Sequence, residues 1–246
     1  MTAAGRRLRV GEIDVSVMES AAALALITGR IAARQSGVFG FANAHSVNLA
    51  RRSRAFAEAL RQVTVFNDGI GIELAARILT GERLPANLNG TDLTPALLAV
   101  LPAGTRVYLL GSPPGVAEVA RAVFAERFPA LDFVGARDGF FDEGEGAAVA
   151  AHIAETGAQL VIVGMGQPRQ EFWATRHAEP IGAVALCAGA ILDFTAGRFQ
   201  RAPGWVQAAR LEWAYRLALE PRRLAQRYLV GNASFMAHVL LQRYRR

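Results

Sequence analysis

The sequence contains no lysine and a single cysteine, and these shortages limit its chemistry. One thiol, Cys187, cannot pair within the chain, which excludes an internal disulfide framework and a cysteine-based zinc site. Because Cys187 lies in the apolar run AVALCAGAIL, we expect a buried, unreactive thiol. The phosphate-binding loop that requires lysine is excluded as well.

Long hydrophobic runs are also missing. The most apolar windows, PALLAVLPAG and IGAVALCAGAIL, are far shorter than the ~20 residues that a helix needs to cross a bilayer. The arginines near the N-terminus are not followed by an apolar segment, which argues against a signal peptide. We therefore expect a cytoplasmic protein. The 246 residues, 52% of them hydrophobic, suit one large domain or one domain with an appendage.

Histidine is scarce, and the four histidines lack the spacing of metal ligands, so we expect no metal site. The segment GMGQPR lacks the third glycine of the dinucleotide-binding motif, and no GxSxG nucleophile elbow is present. These absences argue against a nicotinamide enzyme and against a serine hydrolase of that type.

The positive charge is concentrated at the C-terminal end. All 27 basic residues are arginine and the net charge is +6. Residues 198–246 hold ten arginines and two acids, so this segment carries +8 and the remainder −2. Such a segment, with interspersed aromatic residues, suits anionic lipid headgroups, nucleic acid or a phosphate-bearing substrate. The alternative is an arginine face that is only solvated.

From residue 36 onward, short apolar runs alternate with helical stretches. Predicted strands cover 36–42, 63–67, 106–111, 131–135, 159–164 and 183–187. Predicted helices cover 45–61, 70–80, 91–101, 114–128, 144–156 and 168–178. This alternation predicts an α/β fold with a Rossmann-like, doubly wound, mainly parallel sheet. Helical stretches at 205–219 and 222–244 predict a C-terminal helical appendage, 198–246, on a core of 1–197.

Glycine and small polar residues follow four of the predicted strands. These are Asn43 and His45, then Asp68 and Gly69, then Gly111, Ser112 and Gly115, and finally Gly164, Gly166, Gln167, Gln170 and Glu171. In a doubly wound sheet, ligands bind beyond the carboxyl ends of the strands. Glycines permit close backbone approach, and helix N-terminal amides attract anions. The pattern predicts a phosphate-bearing ligand, although each junction alone also suits ordinary turn geometry.

The order of longer motifs resembles a known family. Between about residues 41 and 235 the chain reads NAHSVNLA, NDGIGIELAARILTGERLP, NGTDL, VYLLGSPPGVAE, GARDGFF, LVIVGMGQPRQE, GAILDFTAGRFQRAPGW and LEWAYRLALEPRRLAQRYLVGNASF. Their order and spacing are similar to those of the WecG/TagA/CpsF family of bacterial glycosyltransferases, family 26 of the sugar transferases.

This resemblance implies an enzyme that moves one sugar from a UDP-sugar donor to an undecaprenyl-diphosphate-linked sugar. It further implies inversion at the anomeric carbon, no required metal or cofactor, and a peripheral position on the inner face of the cell membrane. Inversion requires a base for the acceptor hydroxyl and stabilisation of the departing diphosphate.

Asp68, in the family's DG junction, is the expected base, the alternative being an N-cap of helix 70–80. Asn43 is expected to bind the sugar or to align Asp68, unless it is only a turn residue. Gln170 and Glu171 are expected to reach substrate, the alternative for Glu171 being a cap at the helix start. Asp92 is expected to hold its loop, with direct substrate contact less favoured. The remaining expected substrate-binding residues are Gly69, Asn87, Asn89, Gly111, Ser112, Gly164, Gly166, Gln167 and Pro168.

The chain departs from the family pattern at the potential donor site. Many relatives read PERVxGxDL where this chain reads PANLNGTDL, so Asn87 replaces a phosphate-directed arginine. An early family threonine is also replaced in the neighbourhood of Phe41. Diphosphate stabilisation is therefore expected from Arg83, Arg169 or tail arginines. These changes favour a neutral hexose donor, glucose first, in exopolysaccharide synthesis; the alternative is an N-acetylmannosamine or N-acetylmannosaminuronate donor.

The tail is expected to contact the lipid diphosphate or the membrane. The arginines expected there are Arg201, Arg216, Arg222, Arg223 and Arg227. The alternative is a core helix pair whose arginines face water. A noncatalytic protein that binds nucleic acid or a lipid carrier is the competing class, but the acidic core argues against nucleic acid. The sequence leaves a homo-oligomer open.

Overall fold

The computed structural model describes residues 6–208 and 211–245, apart from the side chains of Gln207, Ala208 and Arg223. Within those residues the chain forms eight strands and thirteen α-helices. The strands are β1 Arg7–Val10, β2 Ile13–Ser16, β3 Gly37–Ala42, β4 Val63–Asn67, β5 Arg106–Gly111, β6 Asp132–Arg137, β7 Leu160–Gly164 and β8 Val184–Cys187.

The first nine helices are α1 Ser20–Ala32, α2 Ala44–Arg52, α3 Arg54–Leu60, α4 Ile70–Thr80, α5 Gly90–Val100, α6 Val116–Arg127, α7 Gly146–Glu155, α8 Arg169–Ile181 and α9 Ile191–Thr195. A 3-10 turn over Glu143–Glu145 precedes α7. The C-terminal helices are α10 Gly204–Ala208, α11 Glu212–Leu219, α12 Pro221–Ala225 and α13 Gly231–Tyr244. A π-helical turn over Gln226–Val230 joins α12 to α13.

All eight strands form one sheet in the order β1-β2-β4-β3-β8-β7-β5-β6. Every neighbouring pair is parallel except β1 and β2, which form an antiparallel hairpin at one edge. The predicted doubly wound sheet and its six predicted strands are confirmed. The hairpin was not predicted, because its four-residue strands are too short to show a clear alternation of apolar and polar residues, and α1 was not predicted either.

Two layers of helices cover the sheet. Alternate residues of a strand enter opposite layers: Tyr108 and Leu110 pack on one face, whereas Val107 and Leu109 pack on the other. The first face carries α2, α3, α4, α7, α8 and α13, and the second carries α1, α5, α6 and α9. Burial on both faces explains the nearly continuous apolar sequence of strands such as LVIVG.

The prediction of one helix over 45–61 was wrong, because the chain breaks at Ser53. This residue has extended backbone angles (φ −127°, ψ 102°) and its hydroxyl caps α3 by accepting the Phe56 amide. The predicted helix 222–244 is interrupted by the π-helical turn. The predicted helix 205–219 includes Ala209 and Arg210, which lie outside the described residues.

The last helix belongs to the main core. Phe235 and Val239 of α13 are fully buried among residues of α2 and α4. Gln242 fastens the same helix to the hairpin, accepting the Gly11 amide at 2.9 Å and donating to the Arg9 carbonyl at 3.0 Å. The boundary at 197/198 stays a prediction, but the C-terminal segment supplies part of the apolar interior.

Gly111→Ala should destabilise the fold. Gly111 has φ +142°, and a Cβ there would lie 2.5 Å from the Gly164 carbonyl oxygen. We expect a loss of more than ~1 kcal/mol in the free energy of unfolding, measured by urea denaturation. Gly29→Ala in α1, where a Cβ meets nothing within 4 Å, is the control and should stabilise the protein by ~0.5–1 kcal/mol. Equal unfolding free energies for wild type and Gly111→Ala would contradict the prediction.

Candidate active site

The candidate site lies where neighbouring strands send their chains to opposite faces of the sheet. After β3 the chain continues into α2 on one face, whereas after the adjacent β8 it continues into α9 on the other. The divergence leaves a crevice at the carboxyl ends of the strands, the usual ligand position in such sheets. Asn43 follows β3, and Asp68 follows β4 beside it.

Asp68 and Asn43 are in direct contact. Asn43 Nδ2 donates to Asp68 Oδ2 at 3.2 Å. The oxygen of the same amide caps α2 by accepting the backbone amides of His45 and Ser46. Asn43 is therefore more than a turn residue. Asp68 is not the cap of α4, because the N-cap position is Gly69 and no side chain caps that helix.

Burial raises the pKa of Asp68 above its ordinary value. The hydrogen bond from Asn43 and the positive charges of Arg227 and Arg216 act in the opposite direction. The negative charge of Asp92 raises the pKa further, by a smaller amount. A carboxylate in these surroundings is a stronger base than a solvated aspartate, as proton abstraction requires.

His45 lies next to this pair and is neutral at physiological pH. Burial, followed by the charges of Arg227 and Arg52, lowers its pKa to about 4. A neutral imidazole can accept or donate one hydrogen bond without adding charge beside Asp68.

The loop before α5 closes one side of the crevice. Asn67, at the end of β4, donates to the Ala86 carbonyl at 2.7 Å. Asn87 Oδ1 accepts the Gly69 amide at 2.8 Å and so holds the turn that follows Asp68. Asn89 caps α5 by accepting the Asp92 amide at 2.9 Å. In this fold Asn87 holds backbone where the family pattern has an arginine.

Asp92 links the same loop to the C-terminal segment. Its carboxylate accepts the Asn89 side-chain amide at 2.7 Å and pairs with Arg201. Arg201 Nε also lies 3.9 Å from Glu212 of α11. Asp92 therefore connects the loop before α5 to the C-terminal segment, and its contact with substrate stays a prediction.

The loop after β7 places its polar side chains inward. Gln170 and Glu171 are 2% and 0% exposed, so neither presents a surface to a ligand in this structure. Gln167 donates to the Phe41 carbonyl at 2.9 Å and to Glu171 at 3.1 Å. Pro168 follows Gln167 through a cis peptide bond. Contact of these four residues with substrate stays a prediction.

The predicted glycines fall into two groups. Gly69 and Gly166 have positive φ, and a Cβ on either would meet nothing within 4 Å, so each leaves space beside the backbone. A Cβ on Gly164 would instead lie 2.8 Å from the Gly189 carbonyl oxygen, and a Cβ on Gly111 would lie 2.5 Å from the Gly164 carbonyl oxygen. Close packing of three strand ends is sufficient reason for glycine at positions 111 and 164.

The sequence reasoning missed a cluster in which Ser112 and Asp193 are buried and Arg198 is about half exposed. Ser112 donates to Asp193 at 2.8 Å, and Arg198 pairs with the other oxygen of Asp193 at 2.9 Å. Ser112 was predicted, but Asp193 and Arg198 were read only as part of the motif GAILDFTAGRF. The signal was an aspartate inside an otherwise apolar stretch, which requires partners when buried.

The predicted arginines differ in their surroundings. Arg216 lies over the Phe194 ring at 5.6 Å and Arg227 over the Tyr228 ring at 5.7 Å, and both affect Asp68. Arg222 is exposed, and the side chain of Arg223 lies outside the described part of the structure.

Arg83 and Arg169, the two core arginines expected near the diphosphate, line recesses other than the crevice at Asp68. Arg83 lines a recess with Arg6 and Thr80, beyond the C-terminal end of α4, whereas Asp68 precedes its N-terminal end. Arg169 donates to the Phe141 carbonyl and lies 5.1 Å from the Phe141 ring. It lines a groove of about 330 Å³ with the exposed Phe140, on the β6 side.

Among residues 6–208 and 211–245, no three His, Cys, Asp or Glu side chains lie together as a potential metal site. The same residues include no helix that combines the length and apolarity needed to cross a bilayer.

Comparison with known proteins identifies the family. Residues 8–246 match the model of the Glycosyl transferase WecG/TagA/CpsF family. Because this match covers nearly the whole described chain, the protein belongs to that family, and the resemblance noted from its motifs is confirmed.

A curated relative gives a more specific comparison. The chain is 33% identical over 162 residues to the N-acetylglucosaminyldiphosphoundecaprenol N-acetyl-beta-D-mannosaminyltransferase of Bacillus subtilis (strain 168). The match covers 65% of this chain and 62% of the relative's own length.

Glu171→Gln should stabilise the protein increasingly as pH rises. Burial raises the pKa of Glu171, whose Oε2 has no hydrogen-bond partner among the described residues. A raised folded-state pKa means that stability is lost as pH rises above the ordinary value of 4.5, since ionisation is easier in the unfolded chain. Glutamine mimics the protonated acid and cannot ionise. The variant's advantage in urea denaturation should therefore be larger at about pH 8 than at about pH 5.

The control is Glu179→Gln, an exposed position on the same helix, which should change the unfolding free energy little at either pH. A Glu171→Gln effect that is identical at the two pH values would contradict the prediction.

Proposed function

We propose that this protein is an inverting glycosyltransferase that moves a sugar from a UDP-sugar to a sugar linked to a polyprenyl diphosphate. The observation that carries the proposal is the Asn43–Asp68 pair at the mouth of a doubly wound sheet, with Arg216 and Arg227 beside it. Membership of the glycosyl transferase family supports the reaction class, and the Bacillus subtilis relative supports the acceptor type.

In the proposed reaction, Asp68 removes the proton of the acceptor hydroxyl while that oxygen attacks the anomeric carbon of the donor. The bond between the anomeric carbon and the phosphate oxygen breaks, and UDP leaves with the electron pair. Attack from the face opposite the leaving group inverts the anomeric carbon. Arginine side chains and the N-H groups at helix starts stabilise the charge that develops on the diphosphate.

The donor sugar has two candidates. The activity for which the Bacillus subtilis relative is named favours an N-acetylmannosaminyl donor and an N-acetylglucosaminyl acceptor, which we take as the first candidate. Asn87 supports the second, a UDP-glucose donor of exopolysaccharide synthesis. A neutral amide that bonds to the Gly69 backbone replaces the arginine of the family pattern at this position.

A donor panel decides between them. The full chain is incubated with a synthetic prenyl-diphosphate N-acetylglucosamine or glucose acceptor and with UDP-N-acetylmannosamine, UDP-N-acetylmannosaminuronate, UDP-glucose or UDP-N-acetylglucosamine. UDP release and product mass are measured. Transfer from UDP-N-acetylmannosamine to the N-acetylglucosamine lipid supports the first candidate, and transfer from UDP-glucose supports the second. No transfer from any donor would refute the proposed function.

Asp68→Asn should reduce transfer by about 10²- to 10⁴-fold and leave UDP binding nearly unchanged. The amide keeps the size of the carboxylate but cannot accept the proton. Turnover is measured with the active donor, and UDP binding by calorimetry. Asp14→Asn, on the exposed side of the edge hairpin, is the matched control. Near-normal turnover by Asp68→Asn would remove this residue from the role of base.

We further propose peripheral contact with the cytoplasmic face of the cell membrane. The C-terminal apolar surface consists of Leu229, Val230, Leu240, Leu241 and Tyr244, which are 47% to 89% exposed. The nearby sequence is rich in arginine, which anionic headgroups attract. An apolar surface with flanking positive charge suits the boundary between headgroups and acyl chains.

Leu240→Ser combined with Leu241→Ser should weaken vesicle binding by about tenfold or more, since less apolar area enters the lipid. Co-sedimentation with vesicles of phosphatidylglycerol and phosphatidylethanolamine measures the effect. Deleting the whole C-terminal segment is a poorer test, because Phe235 and Val239 belong to the core. The control is Val119→Ser with Val123→Ser on α6, which are 50% and 39% exposed. Equal binding by both double variants would refute membrane contact through this surface.

A further inference from the structure

A chain of side-chain hydrogen bonds connects the loop after β7 to Asp68. Glu171 accepts from Gln167 at 3.1 Å, and Gln167 Oε1 accepts from the Ser46 hydroxyl at 2.8 Å. Ser46 Oγ in turn accepts the Asn43 backbone amide at 3.1 Å, and Asn43 Nδ2 donates to Asp68. Two loops that are distant in sequence therefore meet behind the expected base.

The partners of Gln167 decide which groups donate and which accept along these hydrogen bonds. Its amide nitrogen faces two acceptors, the Phe41 carbonyl at 2.9 Å and Glu171 Oε1 at 3.1 Å. Glu171 Oε1 also accepts from Gln170 at 2.8 Å, so it is an acceptor for two amides. These partners require the NH2 group of Gln167 on that side, and its oxygen must then face Ser46.

The single hydroxyl proton of Ser46 has two acceptors within reach, one on Gln167 and one on Asn43. The hydroxyl lies 2.8 Å from Gln167 Oε1 and 3.2 Å from Asn43 Oδ1, so the closer acceptor takes the proton. A lone pair of the hydroxyl remains for the Asn43 backbone amide. Asn43 Oδ1 is held by the backbone amides of His45 and Ser46, which leaves its NH2 group for Asp68.

We propose that Ser46, Gln167 and Glu171 are positioning residues that hold the Asn43 backbone amide, so that the Asn43 side-chain NH2 group reaches one oxygen of Asp68 and the other oxygen is left for the acceptor hydroxyl. The last step rests on the proposed function. The hydrogen-bonded arrangement itself does not, because it concerns only side chains of the folded chain. Ser46 is 1% exposed and Glu171 is 0% exposed, so both act through hydrogen bonds to other residues and not by contact with a substrate.

The sign of the expected effect follows from the Asn43 bond. That hydrogen bond lowers the pKa of Asp68, so an Asn43 residue that loses the support of Ser46 and moves away from Asp68 should let the pKa rise. The other charged groups that interact with Asp68 are Arg216, Arg227, Asp92 and Glu212, and none of them is altered in the variants below.

The test measures the Asp68 pKa by carbon-13 NMR titration of the full chain. Gln167→Met removes the amide at similar size, and Ser46→Ala removes the hydroxyl. Both variants should raise the Asp68 pKa, and the double variant should raise it no more than one single variant does, since the two residues act through one bond. Ser53→Ala is the matched control, because it removes the capping hydroxyl of the next helix and should leave the Asp68 pKa unchanged.

Each outcome decides the proposal. An unchanged Asp68 pKa in a folded single variant, or a double variant whose shift is the sum of the two, overturns it. Thermal unfolding verifies the folded state, and Ser46→Ala alone decides the question if Gln167→Met does not fold.

A kinetic measurement separates this proposal from the proposed function. In an active protein, both single variants should lower kcat by about tenfold and change the donor KM little, and the acid limb of the kcat profile should move to higher pH. If the variants raise the Asp68 pKa but the wild-type protein transfers no sugar, the positioning role is supported and the proposed function is refuted. If the wild-type protein transfers sugar but the variants leave the Asp68 pKa unchanged, only the positioning role is refuted.

Discussion

The cost of keeping a carboxylate partly out of water at the mouth of the sheet is the constraint on which this site depends. Burial alone disfavours the ionised form of Asp68, and an unpaired buried charge is expensive. The protein offsets this cost with the neutral donor Asn43 and with the positive charges of Arg216 and Arg227. Burial outweighs these effects, so the carboxylate keeps more basicity than a solvated aspartate has.

The need to hold a partly buried carboxylate in place is consistent with the many hydrogen bonds and ion pairs between the loops around Asp68. Asn87 holds the Gly69 amide, Asn67 holds the loop before α5, and Arg201 connects that loop to α11. The two asparagine bonds fix backbone near the carboxylate without adding a charge, whereas Arg201 pairs with Asp92, whose negative charge acts on Asp68. Backbone that is held in advance does not need to reorganise when charge moves during a reaction, which is the general advantage of a preorganised site.

The C-terminal segment contributes both to the hydrophobic core and to the surroundings of Asp68. Its last helix is part of the core through Phe235, whereas α11 and the π-helical turn bring Arg216 and Arg227 toward the crevice. A surface of exposed leucine and valine side chains adjoins these elements. This arrangement places the proposed lipid-facing surface and the arginines around Asp68 on one continuous stretch of chain. In the proposed function, the same stretch of chain would contact the lipid and surround Asp68.

The sequence by itself determined the strands, the doubly wound sheet and the residues at the strand ends, because apolar periodicity and glycine placement are local properties. It did not reveal the break at Ser53, the edge hairpin or the partnership of Asp193 with Ser112 and Arg198. Tertiary structure alone decided that Asn43 meets Asp68, that Gln170 and Glu171 point inward, and that Asn87 holds the Gly69 turn. Such contacts join residues distant along the chain, and their geometry arises only when the strands pack in an order that differs from the order of the sequence.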